Sequence, residues 1–470
     1  MNELTINLNP SASEPMYAQI YDYIKKDIKN GTLSCDSKLP STRALATHLD
    51  ISRSTAQMAY DQLLSEGYID SIPCKGYFVN QMDGLYNLVA IHKEKLHLEE
   101  TKPEDYLYDF SARGIELDSF PFNAWRKISK NVLIDDNKEL FNIGNPQGEY
   151  EFRSTICEYL HQSRGANCQP EQIIIGAGNE YLLMLINQLI NKSAIIAMEN
   201  PTYNQAYRTF KSLDRKVTPV NMDKFGMSIE QLNLSNASVA YVMPSHQFPL
   251  GIIMPINRRA ELLNWGNKRA DRYIIEDDYD SEFRYKGKPI PALQGSDVNQ
   301  KVIYLGTFSK AIAPAIRMSY MVLPYSLLEV YNQKCKFFAS TVSRIDQTVV
   351  NSFIQEGYYE RHLNKMRSLY KTRHDILMNE LKTFEDSFTI TGDNAGIHIL
   401  LTAKFKTTEQ ELISLAKAVG IKVYPLSNHF ISSDINVSNN ATVIIGYANI
   451  SNNDIILGMH ILKQAWIPTY

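Results

Sequence analysis

The chain lacks any run of about eighteen apolar residues, so a membrane-spanning helix is not expected. It lacks an excess of either charge sign. The 48 lysines and arginines stand against 51 aspartates and glutamates, giving a formal net charge of −3 and a pI near 6.4. A strongly basic, whole-chain nucleic-acid binder is thereby excluded. Cysteine is sparse: Cys35, Cys74, Cys157, Cys168 and Cys335 are scattered and none forms a CxxC pair. That spacing suggests neither a zinc site nor a disulfide framework, and fits a reducing cytoplasm. The N-terminal MNELTINLNPSASEP is polar and has no apolar stretch of the signal-peptide kind. No internal repeat or low-complexity tract is evident. What remains is an ordinary globular composition, 44% hydrophobic and 21% charged over 470 residues, long enough for two or three domains.

The first eighty residues have a pattern of their own. In PMYAQIYDYIKKDIKNG, Tyr17, Ile20, Ile24 and Ile28 recur at helical spacing and Gly31 is a natural stop. Ser41 can cap a second, short helix with Leu45 and Leu49 on its buried side. Ser52 or Ser54 can cap a third, RSTAQMAYDQLLSEG, ending at Gly67. YIDSI, a turn at PCKG and YFVN then suggest a hairpin. Three helices and a hairpin make a winged helix-turn-helix, whose third helix would enter the major groove of double-stranded DNA. Charge alone does not argue for this, since residues 1–80 hold seven Lys/Arg against nine Asp/Glu. The basic residues are nevertheless well placed: Arg43 opens helix two, Arg53 opens helix three and Lys75 lies at the wing tip.

Residues 81–107 mix charge with sparse apolar residues and read as a linker between a domain at 10–80 and a larger one at 108–470. In the larger part, short apolar runs (EQIIIGAG, SAIIAMENP, SVAYVMPS, RYIIEDDY, KVIYLGTFSK, MSYMVLP) alternate with helical stretches. The fold class expected is α/β, a mostly parallel sheet with helices on both faces. In such folds ligands bind at the carboxyl ends of strands. The polar residues cluster there: a Gly-rich turn opening a helix, Tyr203 after AMENP, His246 and Gln247 after YVMP, EDDYD after YII, and Lys310 after YLGTFS.

Each feature alone has a structural explanation; together they match the parts of one ligand. A Schiff-base lysine needs an aldehyde, a cationic pyridine nitrogen needs a carboxylate, a phenolate oxygen needs a tyrosine hydroxyl, and a phosphate needs hydroxyls, an arginine and a helix N-terminus. Pyridoxal 5′-phosphate (PLP) carries all of these. No metal is called for.

The words of the sequence agree. "EPMYAQIYDYIKKDIKNGTL", "LPSTRALATHL", "SRSTAQMAYDQLLSEGYI" and "KGYFV" resemble the GntR-type DNA-binding domain. "NPQGEYEFR", "ENPTY", "PSHQFPLG", "IIEDDYDSEF" and "GTFSKAIAPAIRMSY" resemble the fold-type I aminotransferases. The combination resembles the MocR subfamily of transcriptional regulators, in which the two are fused. The resemblance implies a PLP-dependent transferase fold with a small subdomain at about 335–470, and a cytoplasmic homodimer. It implies that Lys310 carries PLP and that Asp277, or the adjacent Asp278, pairs with the pyridine nitrogen. Tyr279 would hydrogen-bond the ring oxygen and Tyr203 stack on the ring. Arg317, Thr307 and Ser309, with the backbone of Ala177 and Gly178, would hold the phosphate, and His246 and Gln247 would line the ring's oxygen side. Arg43 and Arg53 would contact DNA, with Ser54 and Thr55 as helpers and Lys75–Gly76 at the wing.

The pattern also breaks. Gln57 lies one turn into the third helix where many family members have arginine. No arginine follows Arg373, although aminotransferases usually anchor a substrate carboxylate with one just before a strand like VIIGYA. Gln205 stands where some regulators of the subfamily have another, with Arg208 nearby. An amide replaces a bidentate guanidinium poorly. The expected function is a regulator that senses PLP or a PLP–amine adduct, controlling vitamin B6 or amino-compound metabolism; the alternative is an active aminotransferase with an accessory DNA-binding domain.

Overall fold

The computed structural model describes residues 6–81, 105–134, 138–285, 290–393, 395–432 and 440–467. The chain divides into two compact units, Met1–Pro103 and Glu104–Tyr470. Most of the expected linker, residues 82–104, lies outside the described residues.

The first unit is three helices and a hairpin: α1 (Met16–Lys29), α2 (Thr42–His48), α3 (Arg53–Ser65), β1 (Ile69–Ile72) and β2 (Gly76–Val79). Ile20, Ile24 and Ile28 are buried along α1, as their spacing requires. Ser41 accepts the Ala44 N–H at the start of α2. Of the two serines that could cap α3, Ser52 does so, accepting the Thr55 N–H at 3.1 Å. The hairpin is antiparallel, with Ile69 opposite Val79. The buried Tyr60 of α3 donates to the Pro40 carbonyl at 3.0 Å and meets the Tyr77 ring edge-on at 4.8 Å, which fastens the wing to the third helix.

The second unit is built on an eight-stranded sheet. Its strands are β3 (Ile173–Gly176), β4 (Ile196–Asn200), β5 (Val217–Asp223), β6 (Gly226–Met227), β7 (Val239–Val242), β8 (Tyr273–Asp278), β9 (Val302–Thr307) and β10 (Ser319–Val322). Their spatial order is β3-β10-β9-β8-β7-β4-β5-β6. Five of the strands run parallel from β5 to β9, while β10 is antiparallel to both neighbours. The central strands are buried along their length because helices cover both faces. Of these helices, α4 (Tyr150–Arg164), α5 (Asn179–Leu189) and α6 (Asn204–Ser212) bear on the site.

Toward the C-terminus a four-stranded antiparallel sheet, ordered Phe388–Thr391, His398–Ala403, Thr442–Gly446 and Tyr424–Pro425, packs with helices Tyr358–Leu381 and Asn452–Trp466. Its core reaches back to the beginning of the unit. Tyr108–Asp109 pairs in parallel with Ile421–Lys422, and Phe110 is fully buried among Met459, Leu462 and Trp466. A segment at the start of the unit is therefore part of a subdomain expected only from residues after about 335.

Candidate functional site

A cavity of about 250 Å³ opens at the carboxyl ends of β8 and β9. Gly178, Tyr203, Asp277, Tyr279, Thr307, Ser309, Lys310 and Arg317 all line it. Strand parity sorts the acidic run on β8. Successive side chains point to opposite faces, so Glu276 and Asp278 share one face and Asp277 takes the other. Asp277 faces the cavity, receiving a short hydrogen bond from Tyr241 Oη and one from Asn179 Nδ2 at 3.2 Å. Burial pushes its carboxyl up to about 6. Asp278 lies behind the sheet, bound by Arg164 Nε at 2.8 Å and by Tyr304 Oη at 2.5 Å. Glu276 is capped by the backbone N–H groups of Leu293 and Gln294.

Lys310 follows β9 and is half-buried. Its Nζ donates to the carbonyls of Ala112 at 3.1 Å and Arg113 at 2.9 Å. Burial lowers its pKa to about 8, so a fraction of the amine is neutral near pH 7. Tyr203 sits just before α6, its ring edge-on to Phe248 at 6.2 Å, its phenol pushed up to about 12 by burial. The Tyr279 hydroxyl is 2.9 Å from His246 Nδ1, which also lies 2.9 Å from Asp280 Oδ2.

At the other end of the cavity, α5 begins after Gly178, whose φ is +91°. A Cβ there would stand 2.5 Å from Arg317 Nη2, so the glycine is required both by its backbone and by the guanidinium beside it. Arg317 has a φ of +46° and pairs with Glu180 at 2.8 Å. Thr307 Oγ1 accepts from Ser319 Oγ at 2.9 Å and from the Ser309 N–H at 3.2 Å. Hydroxyls, a guanidinium and a helix N-terminus converge here, as an anionic group requires.

Three of the expected residues lie elsewhere. Ala177 donates its N–H to Thr341 Oγ1 at 3.0 Å. His246 and Gln247 are buried outside the cavity lining. Gln247 is spent on its own turn, donating to the carbonyls of Pro201 and Phe248 and accepting the Leu250 N–H.

In the first unit, Arg43, Arg53, Ser54 and Lys75 are exposed. Thr55 is half-buried and its hydroxyl is 2.8 Å from Ser52 Oγ, within the helix cap. Gln57 donates to Asp61 Oδ1 at 2.8 Å and reaches Tyr77 of the wing at 3.4 Å. Gly76 has a φ of +112° in the wing turn.

Comparison with known proteins places both units. The aminotransferase class I and II family model matches residues 115–443, and that of the bacterial regulatory proteins of the gntR family matches residues 16–79. YdeL, an HTH-type transcriptional regulator of Bacillus subtilis, is 39% identical, with 99% of each chain covered. MocR of Rhizobium meliloti, described as a probable rhizopine catabolism regulatory protein, is 30% identical over 98% of this chain and 95% of its own. The chain is a MocR-type member of the GntR family. It is an HTH-type transcriptional regulator whose larger domain is of the aminotransferase I/II class, a class that typically binds PLP. Another relative, the pyridoxine biosynthesis regulator PdxR of Corynebacterium glutamicum, is 29% identical over 91% of this chain and 92% of its own. Among solved structures, a kynurenine aminotransferase of Pyrococcus horikoshii superposes with a TM-score of 0.67 at 24% identity, covering 77% of this chain and 91% of that one. That likeness concerns the fold. No helix among the described residues is long and apolar enough to cross a membrane.

Sequence reasoning missed several residues that shape the regulator's cavity. Tyr241 and Asn179 hold Asp277, Glu180 holds Arg317, and Arg113 lines the cavity from the start of the unit. Asn179 and Glu180 could have been found, since they occupy the first turn after the Gly-rich strand end. Tyr241 sits mid-strand in an apolar run, and Arg113 is almost 200 residues from Lys310; no local signal marks either. Arg113 also lines an adjoining cavity with Gln205, Arg208 and His429.

Proposed function

We propose that this regulator holds PLP at Lys310 and changes its DNA binding when an amino compound is captured there. The observation that carries the proposal is the convergence of Lys310, Asp277 and Arg317 on one cavity. The residues present fit the cofactor: a primary amine with a lowered pKa, a buried carboxylate fixed by two hydrogen bonds, and a cradle at Gly178 that a Cβ would fill. When bound, PLP supplies an aldehyde open to amines and an electron-accepting ring.

Each side chain then has a task. Lys310 attaches the cofactor. Asp277 accepts the ring N–H, with Tyr241 and Asn179 fixing its orientation. Tyr203 covers the ring, and Tyr279 donates to the ring oxygen while His246 holds Tyr279 from behind. Thr307, Ser309, Arg317 and the N–H groups in the first turn of α5 would take the phosphate, with Arg317 leaving Glu180 for it; the Gly178 N–H itself is spent on the Gly176 carbonyl at 2.9 Å. Arg113 and Arg208 offer guanidinium groups for an acidic group on the amine, in place of the arginines that the sequence lacks.

In the first unit, Arg43, Arg53 and Ser54 contact DNA from α2 and α3, with Lys75 on the wing. The regulator acts as a homodimer that presents two recognition helices to a repeated or inverted operator. Phe141, Ile143 and Phe337 are exposed on the second unit, consistent with a further surface to bury. A ligand shifts DNA binding only through different affinities for two arrangements of the dimer.

The deciding experiment is a DNA-binding assay on the regulator's own upstream intergenic region, with and without PLP and acidic amines. The expected result is an affinity change with PLP or PLP plus amine that is lost in Lys310→Ala. The variant should also lose the yellow absorbance of the wild type while keeping its fold. No absorbance band after PLP is added would remove the cofactor from the mechanism. The Arg113 guanidinium and the partly neutral Lys310 also favour a second reading, turnover of an acidic amine. Steady conversion of such an amine and a keto acid would establish it.

A further inference from the structure

The scattered cysteines are not all scattered in space. Cys157 and His161 lie one turn apart on α4, and Cys168 follows in the loop before β3. Among the described residues they are the one group of three histidine, cysteine or acidic side chains whose possible ligand atoms all lie within 4.8 Å of one another. Cys157 Sγ is 3.8 Å from Cys168 Sγ and 3.6 Å from His161 Nε2, and Cys168 Sγ is 4.0 Å from the same nitrogen.

These separations can be compared with what a metal demands. Zinc takes thiolate sulfur at about 2.3 Å and imidazole nitrogen at about 2.0–2.1 Å, in tetrahedral geometry. The tetrahedron then has edges of about 3.8 Å between sulfurs and about 3.6 Å between sulfur and nitrogen. The observed triangle matches two of its edges and exceeds the third by a few tenths of an ångström. A disulfide, by contrast, needs its sulfurs at about 2.05 Å.

The triangle is also held in place. Both cysteines are buried in the core beneath α4, while His161 is exposed and leaves a path for an ion. Asn167, next to Cys168, is fixed by Gln294 through its N–H at 2.7 Å and its carbonyl at 2.6 Å. Gln294 is anchored in turn by its own N–H to Glu276 of the central strand β8. The Cys168 carbonyl lies 2.8 Å from His161 Nε2 and 3.2 Å from Cys157 Sγ, on the edge of the same triangle.

We propose that Cys157, His161 and Cys168 bind a single zinc ion, with the Cys168 carbonyl or a water as fourth ligand. Two thiolates and one imidazole select a borderline-soft ion over magnesium or calcium. Two thiols each release a proton on binding, so the divalent ion and two thiolates leave the buried site neutral. The ion clamps the C-terminal turn of α4 to the loop entering β3. That turn carries Arg164, the partner of Asp278. The C-x3-H-x6-C spacing has no close cysteine pair, which is why the sequence pattern suggested no metal.

The test uses reduced, metal-stripped, PLP-free full-length protein titrated with cobalt(II) and with zinc against a chromogenic chelator. The expected result is one ion per chain, thiolate-to-cobalt charge-transfer bands in the near ultraviolet and the visible bands of tetrahedral cobalt. His161→Ala, at an exposed position, and Cys168→Ser should each weaken zinc binding at least about tenfold. Cys335→Ser should leave it unchanged. Three results would each overturn the proposal: a wild-type cobalt spectrum without thiolate bands, zinc affinity unaltered in His161→Ala, or a native Cys157–Cys168 disulfide seen as a mass lower by two hydrogens. The cobalt spectrum is read on the wild type, so it stands even if Cys168→Ser fails to fold.

Discussion

The pair Asp277 and Asp278 allows a sharp test, because two adjacent carboxylates should fail in different ways. Asp278→Asn removes the charge partner of Arg164 where both side chains are only 2–3% exposed. Breaking a buried pair from one side typically costs about 3–5 kcal/mol, since the other charge is left uncompensated. Arg164 would keep its hydrogen bonds to Ser245 Oγ and the Ile290 carbonyl, and Glu276 and Glu282 remain within its field, so the lower end applies. Unfolding entropy of about 2.1 cal/mol/K per residue gives roughly 0.8 kcal/mol/K for the unit Glu104–Tyr470. The expected drop in Tm of the cofactor-free protein is therefore about 4 °C. Asp277→Asn removes a carboxylate that burial holds at about 6. That group costs stability at neutral pH, on the order of 3 kcal/mol relative to an unfolded carboxylate. Asp277→Asn should therefore leave the cofactor-free Tm unchanged or raise it, while weakening PLP binding. Asp278→Asn should bind PLP normally at temperatures where it is folded. Calorimetry and PLP titration of both variants decide the matter. Equal losses of Tm in the two, or loss of PLP binding confined to Asp278→Asn, would refute the assignment of the two faces of β8.

Further outcomes are expected elsewhere. Glu199 is buried with one carboxylate oxygen lacking a hydrogen-bond partner, and burial raises its pKa to about 8. The folded state therefore keeps a proton that the unfolded chain releases, and stability falls as pH rises from the ordinary carboxylate range through about 8. Glu199→Gln should raise the Tm at pH 8.5, by a margin that shrinks toward pH 5. Gly178→Ala, which strains a φ of +91° and displaces Arg317, should weaken PLP binding about tenfold or more, measured by titration. Ser52→Ala removes the cap of α3, worth about 1 kcal/mol, and should lower the unfolding midpoint of the N-terminal unit by about 4–8 °C. Arg53→Ala should weaken operator binding; if Arg53 meets a phosphate, the loss is uniform across sequences and the salt slope falls by about one.

Sequence periodicity alone carried much of the architecture. The isoleucines of α1, the serine caps and the apolar runs that became β3, β4, β7, β8, β9 and β10 are local signals, set by side-chain spacing and by the free N–H groups of a helix end. The run of polar residues at strand ends was equally legible, because α/β folds place ligands there. The choice between Asp277 and Asp278 stayed open in the sequence, and strand β8 settles that they face opposite ways. Which face holds the cavity was not in the sequence, since helices cover both sides of the sheet and only packing leaves one of them open. Tertiary structure likewise brought Arg113 and Phe110 from the start of the unit to Lys310 and to the C-terminal core. It also brought Cys157, His161 and Cys168 to within a metal's reach of each other. Such contacts depend on chain closure over tens to hundreds of residues, and no local spacing encodes them.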